Sequence, residues 1–412
     1  MVRPFGPKGA RNQRLTIKPK FADDYNRLQM GSTLKDIARE CGLDVATVSR
    51  SLSGAYGVNQ ATRANVLAVA ARLKYRPNRL AMSLVTGKSR TLAMIISDIR
   101  NPFFAELTRG AEDAAYEAGY ELILCNSDLN PAKESRYVHS LLEKRAEGIL
   151  MNSVSGLNEE EQEELSRSGV PIVLLNRPSP SARIKGFSTV LADNYTGGYM
   201  AGRHLIDLGH RVIGHLTGGI QHGNFQERTK GFKKSLQETD SKVTPMIIHG
   251  RHSDEGGYRM MKKLLRRGGL TAVFAANDAM AFGVIRAIFE SGLRVPDDIS
   301  VIGFDNVDIA SLVRPPLTTI HQPKYEMGRA AVEMLLRKAK QGEMATPEHR
   351  LLEVRLVKRE SCRSVTKKEY PRHGEVKPPG MVTKSGSGSS KLERGRHTLL
   401  APDDGASASS RR

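Results

Sequence analysis

The chain has 412 residues, 39% of them apolar, room for about two to three domains of ordinary size. No run approaches the roughly 20 apolar residues a membrane span needs, and three scattered cysteines, Cys41, Cys125 and Cys362, form no CxxC pair, which excludes a disulfide framework and a zinc knuckle. The net charge of +19 is uneven: residues 1–90 hold 17 Lys/Arg against 5 Asp/Glu, residues 91–362 hold 35 against 34, and residues 363–412 hold 11 against 5, the footprint of a nucleic-acid-binding head on a neutral core.

Residues 1–31 are rich in Lys, Arg, Gly and Pro without apolar periodicity and read as a disordered basic extension. They carry no apolar stretch of the secretory kind, so the chain is expected to be cytoplasmic. From Ser32 the pattern becomes helical. Leu34, Ile37, Ala38 and Cys41 make one apolar stripe, Gly42 stops it, and a second helix follows Leu43-Asp44 with Val48 and Leu52 inward. Ser53-Gly54 ends that helix, and a third begins at Asn59 as N-cap with Val66, Val69, Ala70 and Leu73 on one face. This is the plan of a helix-turn-helix domain over 32–76. A hinge helix and linker are expected over 77–90, with Asn78 as cap and Gly87 as stop. A helix that short is unstable alone in water.

From Thr91 short apolar runs alternate with amphipathic helical segments. The runs are Leu92–Ile96, Glu121–Cys125, Gly148–Met151, Pro171–Leu175, Val212–Leu216, Met246–Ile248, Ala272–Ala275 and Ile299–Phe304. Alternation of this kind predicts parallel sheets covered on both faces, and eight runs suggest two Rossmann-like lobes within a core of 91–361. Lobe 1 is expected over about 91–190 and 322–350, and lobe 2 over about 191–321 and 351–361. Residues 362–412, with Ser-Gly-Ser-Gly-Ser-Ser at 385–390, read as a disordered tail without coiled-coil heptads.

Three blocks in the head, Thr33-Leu34-Lys35-Asp36-Ile37-Ala38, Ala46-Thr47-Val48-Ser49-Arg50 and Tyr75-Arg76-Pro77-Asn78-Arg79-Leu80-Ala81, resemble the head and hinge of LacI/GalR regulators. The similarity continues through Asn101-Pro102-Phe103-Phe104, Gly197-Gly198-Tyr199, Asn277-Asp278, Gly303-Phe304-Asp305-Asn306 and Pro316-Leu317-Thr318-Thr319-Ile320. It runs from about Ser32 to Glu360, leaving both extensions outside. The resemblance implies a homodimeric repressor whose all-α head reads double-stranded operator DNA and whose periplasmic-binding-protein-like α/β core answers to a small effector. It calls for no cofactor, metal, membrane or enzymatic activity.

In a helix-turn-helix the second helix enters the major groove. Its outward positions here are Val45, Ala46, Thr47, Ser49 and Arg50, of which Arg50 alone can make a bidentate contact with guanine. The family sets operator choice at the residues matching Val45, Ala46 and Arg50. Thr47, Ser49 and Arg63 are placed on phosphates, Asn78 on the hinge, and Leu84 as an apolar wedge in the minor groove.

Open parallel sheets bind ligands beyond their carboxyl edges, and the strand runs end there in Ser97-Asp98, Asn126, Asn152-Ser153, Asn176-Arg177, Asn277-Asp278 and Asp305-Asn306. Together with Asn101, and with Phe103 or Phe104 as an apolar face, these predict a polar effector cleft. By match to the family, Asn224, Arg228 and Asp305 contact effector, followed by Asn176, His252 and Asn277. The family divides between sugar-type and purine-type effectors, and a carbohydrate, a sugar or sugar acid, is favoured here. A two-lobed binding protein without DNA function is the alternative, but it leaves the basic head unexplained. Enzyme readings find no support: Gly87-Lys88-Ser89 ends a phosphate-loop pattern whose leading Gly is Met82, no GxGxxG follows a strand, and HExxH is absent.

Overall fold

The computed structural model describes residues 32–76, 88–153, 159–176, 186–219, 222–239, 243–341 and 346–365. The N-terminal extension, Asn78 and Leu84 of the expected hinge, Arg177, and the tail beyond 365 lie outside these residues.

The head is three helices, α1 (Leu34–Cys41), α2 (Val45–Ser53) and α3 (Gln60–Arg72). Each start is fixed by a side chain that satisfies an otherwise orphaned amide. Thr33 accepts from Asp36 N in a reciprocal capping box, Asp44 accepts from Thr47 N, and Asn59 accepts from Thr62 N. Gly42 and Gly54 end α1 and α2 with φ of +65° and +72°, a left-handed turn that glycine adopts without a Cβ clash. The inward stripes meet as Ile37, Ala38, Val48, Val66, Val69 and Ala70, closed by Leu34, Leu52, Leu73 and Tyr75.

Beyond the head come two six-stranded sheets. The first carries β1 (Thr91–Ile96), β2 (Glu121–Asn126), β3 (Gly148–Met151), β4 (Ile172–Leu175), β5 (Ser188–Ala192) and β11 (His349–Leu352), in the order β11-β5-β4-β3-β1-β2 with every neighbouring pair parallel. The second carries β6 (Val212–Thr217), β7 (Thr244–His249), β8 (Ala272–Ala275), β9 (Ser300–Asp305), β10 (Thr318–His321) and β12 (Arg355–Val357), in the order β12-β10-β9-β8-β6-β7. Strand order reverses beside β1 in one sheet and beside β6 in the other, which opens a crevice at the carboxyl edge of each.

The described residues divide into two compact units, those within 32–198, 222–231 and 321–355, and those within 199–219, 232–320 and 356–365. In the first unit α4 (Phe103–Glu117), α5 (Pro131–Glu143), α6 (Glu159–Arg167) and α11 (Lys324–Gln341) accompany the sheet. Its core joins Ala93, Ile95, Val138, Leu141, Ile149, Leu165 and Leu174. At the α4–α11 crossing a Cβ on Gly110 would stand 2.0 Å from the carbonyl oxygen of Tyr325, so only glycine allows that approach. The second unit has α9 (Asp254–Arg267) and α10 (Asp278–Phe289) and buries Ile213, Leu216, Phe232, Phe274, Val301 and Phe304. Two helices, α7 (Asn194–Asp207) and α8 (Gly223–Gln237), are shared by the division.

The structure corrects the expected layout in four places. The described residues hold β5, β10, β11 and β12 beyond the eight expected strands. These are short, and β10 opens on two threonines whose buried hydroxyls are bonded to scaffold groups, so no apolar run marks it. Residues 222–231 group with the first unit, where Arg228 donates to Asn194. The core extends past 361 to at least Val365, because Val365 N donates to Leu208 O, Arg363 N to Ser300 Oγ, and Ser361 Oγ to Val301 O. It also begins earlier than Thr91: Ser89 Oγ donates to Arg145 O, and Arg90 N to Glu147 Oε1.

Candidate DNA-reading and effector sites

On α2 the sequence leaves one face for contact. Val45, Ala46, Ser49 and Arg50 are exposed, while Val48 and Ser51 are buried. Thr47 is half-buried, and its hydroxyl donates to Asp44 Oδ2 at 2.7 Å. That bond, with the one Thr47 N donates to Asp44 Oδ1 at 2.8 Å, holds the Asp44 carboxyl below the usual carboxylate range. Thr47 therefore serves first as part of the cap. The Arg50 guanidinium lies along the helix, with Nε 3.4 Å from Ala46 O and Nη2 3.2 Å from Thr47 Oγ1, weak exposed contacts that it can exchange for a base edge. Arg63 Nη2 donates to Ala55 O at 2.6 Å and so braces the turn between α2 and α3, and its buried Nε has no partner. In that turn Tyr56 is fully exposed. Sequence reasoning passed over it, although an aromatic set between Gly54 and Gly57 in a basic head is a visible signal.

In the first unit the polar residues at the carboxyl edge fall into a bonded chain. Asn194 joins it: its Nδ2 donates to Ala192 O at 2.9 Å and lies 3.4 Å from Asn176 Oδ1, and its Oδ1 accepts from Arg228 Nε at 2.8 Å. Asn176 and Arg228 are thus brought together by a residue the sequence reading did not select. Its signal was a helix opening directly after a strand, where Asp193 caps Thr196. The Arg228 guanidinium is 1% exposed and sits 5.3 Å over the Phe225 ring. It stays charged there, since guanidinium does not lose its proton in proteins. Gly198 explains the backbone approach, because a Cβ at that position would stand 2.0 Å from Arg228 O.

Asn224 lies one helical turn before Arg228, is 8% exposed, and its Oδ1 has no hydrogen-bond partner. Asn152, at the end of β3, donates to Leu175 O at 2.9 Å, and its buried Oδ1 likewise has none. Asn101 accepts from Phe103 N at 3.0 Å and so forms the turn into α4. Phe103 and Phe104 are both buried, packed edge to face with centroids 5.2 Å apart.

In the second unit Asn277 caps α10, accepting from Met280 N at 2.8 Å and donating to His252 O at 3.2 Å. These bonds bring Asn277 and the half-buried His252 together and commit the Asn277 carbonyl to the scaffold. Asp305 ends β9, is 3% exposed, and has φ of +118°. Among histidines, His215 stacks on Phe274 at 4.6 Å. His210 is fully buried, with Nδ1 2.9 Å from Thr271 Oγ1 and Nε2 3.1 Å from Arg363 O. Nε2 therefore carries the proton of a neutral ring, and burial pushes its pKa down to about 4. Among the described residues no group of three or more His, Cys, Asp or Glu side chains could hold a metal. No described helix is long and apolar enough to cross a membrane.

Known proteins carry the same plan. Residues 33–78 match the family described as bacterial regulatory proteins, lacI family, and residues 203–362 match the periplasmic binding protein-like domain. The chain is 39% identical over 313 residues to the HTH-type transcriptional repressor PurR of Photobacterium profundum, covering 75% of this chain and 92% of that protein. It is 38% identical over 309 residues to catabolite control protein A of Priestia megaterium, covering 74% and 92%. Among solved structures it resembles the lac repressor dimer bound to operator and the anti-inducer ONPF, with a TM-score of 0.72 and 29% identity over 81% of this chain and all of that one. It also resembles a regulator from Enterococcus faecium with bound ribose, with a TM-score of 0.60 and 33% identity over 67% of this chain and all of that one.

Proposed function

The chain belongs to the LacI family of bacterial regulatory proteins, DNA-binding transcriptional repressors under effector control, and we propose that its effector is a sugar or sugar acid, with Asn224 and Arg228 in the first unit and Asp305 in the second each assigned as an effector contact by family match. One observation carries the proposal. Asn224 presents a buried carbonyl oxygen without a donor, one turn from the buried guanidinium of Arg228. A buried polar atom left unpaired costs about 1–3 kcal/mol, so the site calls for a ligand that brings a hydroxyl or N–H donor to Asn224 Oδ1. A polyol or sugar acid supplies such hydroxyls. The bound ribose of the Enterococcus faecium regulator favours the same class. Purine bases are the competing class in this family, and the relative named PurR keeps them in the test.

Val45, Ala46 and Arg50 read operator bases in this assignment. Ser49, Thr47, Arg63 and the hinge residues Asn78 and Leu84 support that contact, and Asn176, Asn277, His252, Asn101, Phe103 and Phe104 shape the effector environment. Titration calorimetry of the full-length protein against D-ribose, D-glucose, D-gluconate, hypoxanthine and guanine tests the effector class. Binding of a sugar or gluconate, weakened more than tenfold by Arg228→Ala and by Asp305→Ala without unfolding, is the expected result, since a hydrogen bond to a charged group is worth about 1.5–3 kcal/mol. Binding of a purine alone overturns the sugar assignment. Unchanged affinity in both variants overturns the residue assignment.

A further inference from the structure

The carboxyl end of β9 carries an unusual backbone. Asp305 and Asn306 both have positive φ, +118° and +52°. Asparagine tolerates the left-handed region, whereas Asp305 lies outside the basins that a residue with a side chain ordinarily occupies. Such a conformation persists only where its surroundings over-determine it, and it is typical of ligand clamps.

Those surroundings are visible. The fully buried Asp278 accepts from Val307 N through Oδ2 at 2.9 Å and from Thr319 Oγ1 through Oδ1 at 2.6 Å. Thr319 Oγ1 in turn lies 3.4 Å from Asn306 N. Arg359 donates through Nη2 to Asn306 Oδ1 at 2.7 Å and through Nη1 to Leu317 O at 2.7 Å. Gly303 makes room for the carboxylate, since a Cβ there would stand 2.2 Å from Asp278 Oδ1. The contacts therefore fall on Asn306 and Val307, the two residues that follow Asp305.

We propose that Asp278, Thr319 and Arg359 are positioning residues for effector recognition: they hold the Asn306 and Val307 amides and the Asn306 side chain and thereby impose the strained conformation that sets the direction of the Asp305 carboxylate. This rests on the assignment of Asp305 as an effector contact. None of the three needs to touch effector. Arg359 comes from the segment after β12 and Asp278 from the start of α10, so the aim of one carboxylate depends on elements distant in sequence.

The experiment measures amide hydrogen exchange of the 304–308 segment in the full-length protein, alongside calorimetry with D-ribose, D-glucose, D-gluconate, hypoxanthine and guanine. Variants are Arg359→Met, Thr319→Val, Thr319→Ser and Asp305→Asn. Arg359→Met and Thr319→Val are expected to raise exchange at 305–307 at least tenfold and to weaken the probe that binds at least tenfold. Thr319→Ser, which keeps the hydroxyl, is expected to restore both. Because Thr319→Val removes a donor from the buried Asp278 carboxylate, its thermal midpoint is expected to fall, and the discriminating readout is exchange confined to 305–307. A merely structural brace would raise exchange throughout the unit without this local pattern. Unchanged local exchange in Arg359→Met and Thr319→Val overturns the clamp. Raised exchange with unchanged affinity overturns its role in recognition, provided Asp305→Asn does weaken binding. If Asp305→Asn binds as wild type does, the effector-contact assignment fails instead. If none of the probes binds, the effector-class assignment fails, and local exchange alone decides for or against the clamp.

Discussion

At the scale of single residues, Arg50 and His210 give opposite kinds of prediction. Arg50 is exposed and only weakly held by its own helix. Arg50→Ala should therefore cost about 1–3 kcal/mol on a palindromic operator. Random-sequence DNA should be nearly unaffected, and a gel-shift titration with equal loss on both would make Arg50 a phosphate contact instead. His210 is legible in sequence only as one of several scattered histidines. Its role depends on Thr271 and Arg363, which sequence distance hides and folding brings to its two nitrogens. With its folded pKa lowered from 6.5 to about 4, the unfolded chain takes up a proton first as pH falls. Stability is then full above about pH 6.5 and is lost on acidification through the window down to about pH 4, by up to about 3 kcal/mol. Denaturant titrations of wild type and His210→Asn across that window should show a slope in the first that is reduced in the second. Equal slopes would place the acid sensitivity elsewhere.

At the scale of elements, what could be read in advance depended on whether a residue advertised its partner. The three head helices were legible because Thr33, Asp44 and Asn59 cap over local distances and Gly42 and Gly54 stop the chain. The strands β10 and β11 were not, because they rest on hydrogen bonds and pairing with residues distant in sequence rather than on an apolar run. The same division applies to the effector residues: Asn224 and Arg228 were named by family match, whereas Asn194, which bonds Arg228, was not. We propose that the hinge segment around Leu84, which lies outside the described residues, is the switch between effector and operator. Linkage requires that effector change operator affinity by the factor by which operator changes effector affinity. Leu84→Ala should weaken operator binding and flatten the effector response together, whereas Arg50→Ala should weaken binding and keep the response ratio. Titrations of both variants with and without effector check this, and a full-sized response in Leu84→Ala would remove the hinge from the switch.

At the scale of the whole molecule, one head reads only a half-site, so a twofold pair is required to match a palindromic operator. The edge strand β2 exposes Ile123 and Leu124 at 39% each, with Tyr116 of α4 at 77%. An apolar sheet edge left in water invites association, so this edge is the place to test for contact with a second copy. Sedimentation of wild type should give a dimer, and the double substitution Ile123→Glu with Leu124→Glu should shift it toward monomer with loss of repression. A monomeric wild type that still represses would overturn the dimer. The discontinuous make-up of the two units carries a consequence for synthesis. The first unit needs residues 321–355 and the second needs the segment after 356, held at Ser361, Arg363 and Val365. The head, by contrast, is closed by residue 76 and has a core of its own. During translation at roughly 5–20 residues per second, a reading head therefore emerges many seconds before any sensor that could govern it. Pairing is what keeps that interval harmless, because an unpaired head grips only half an operator.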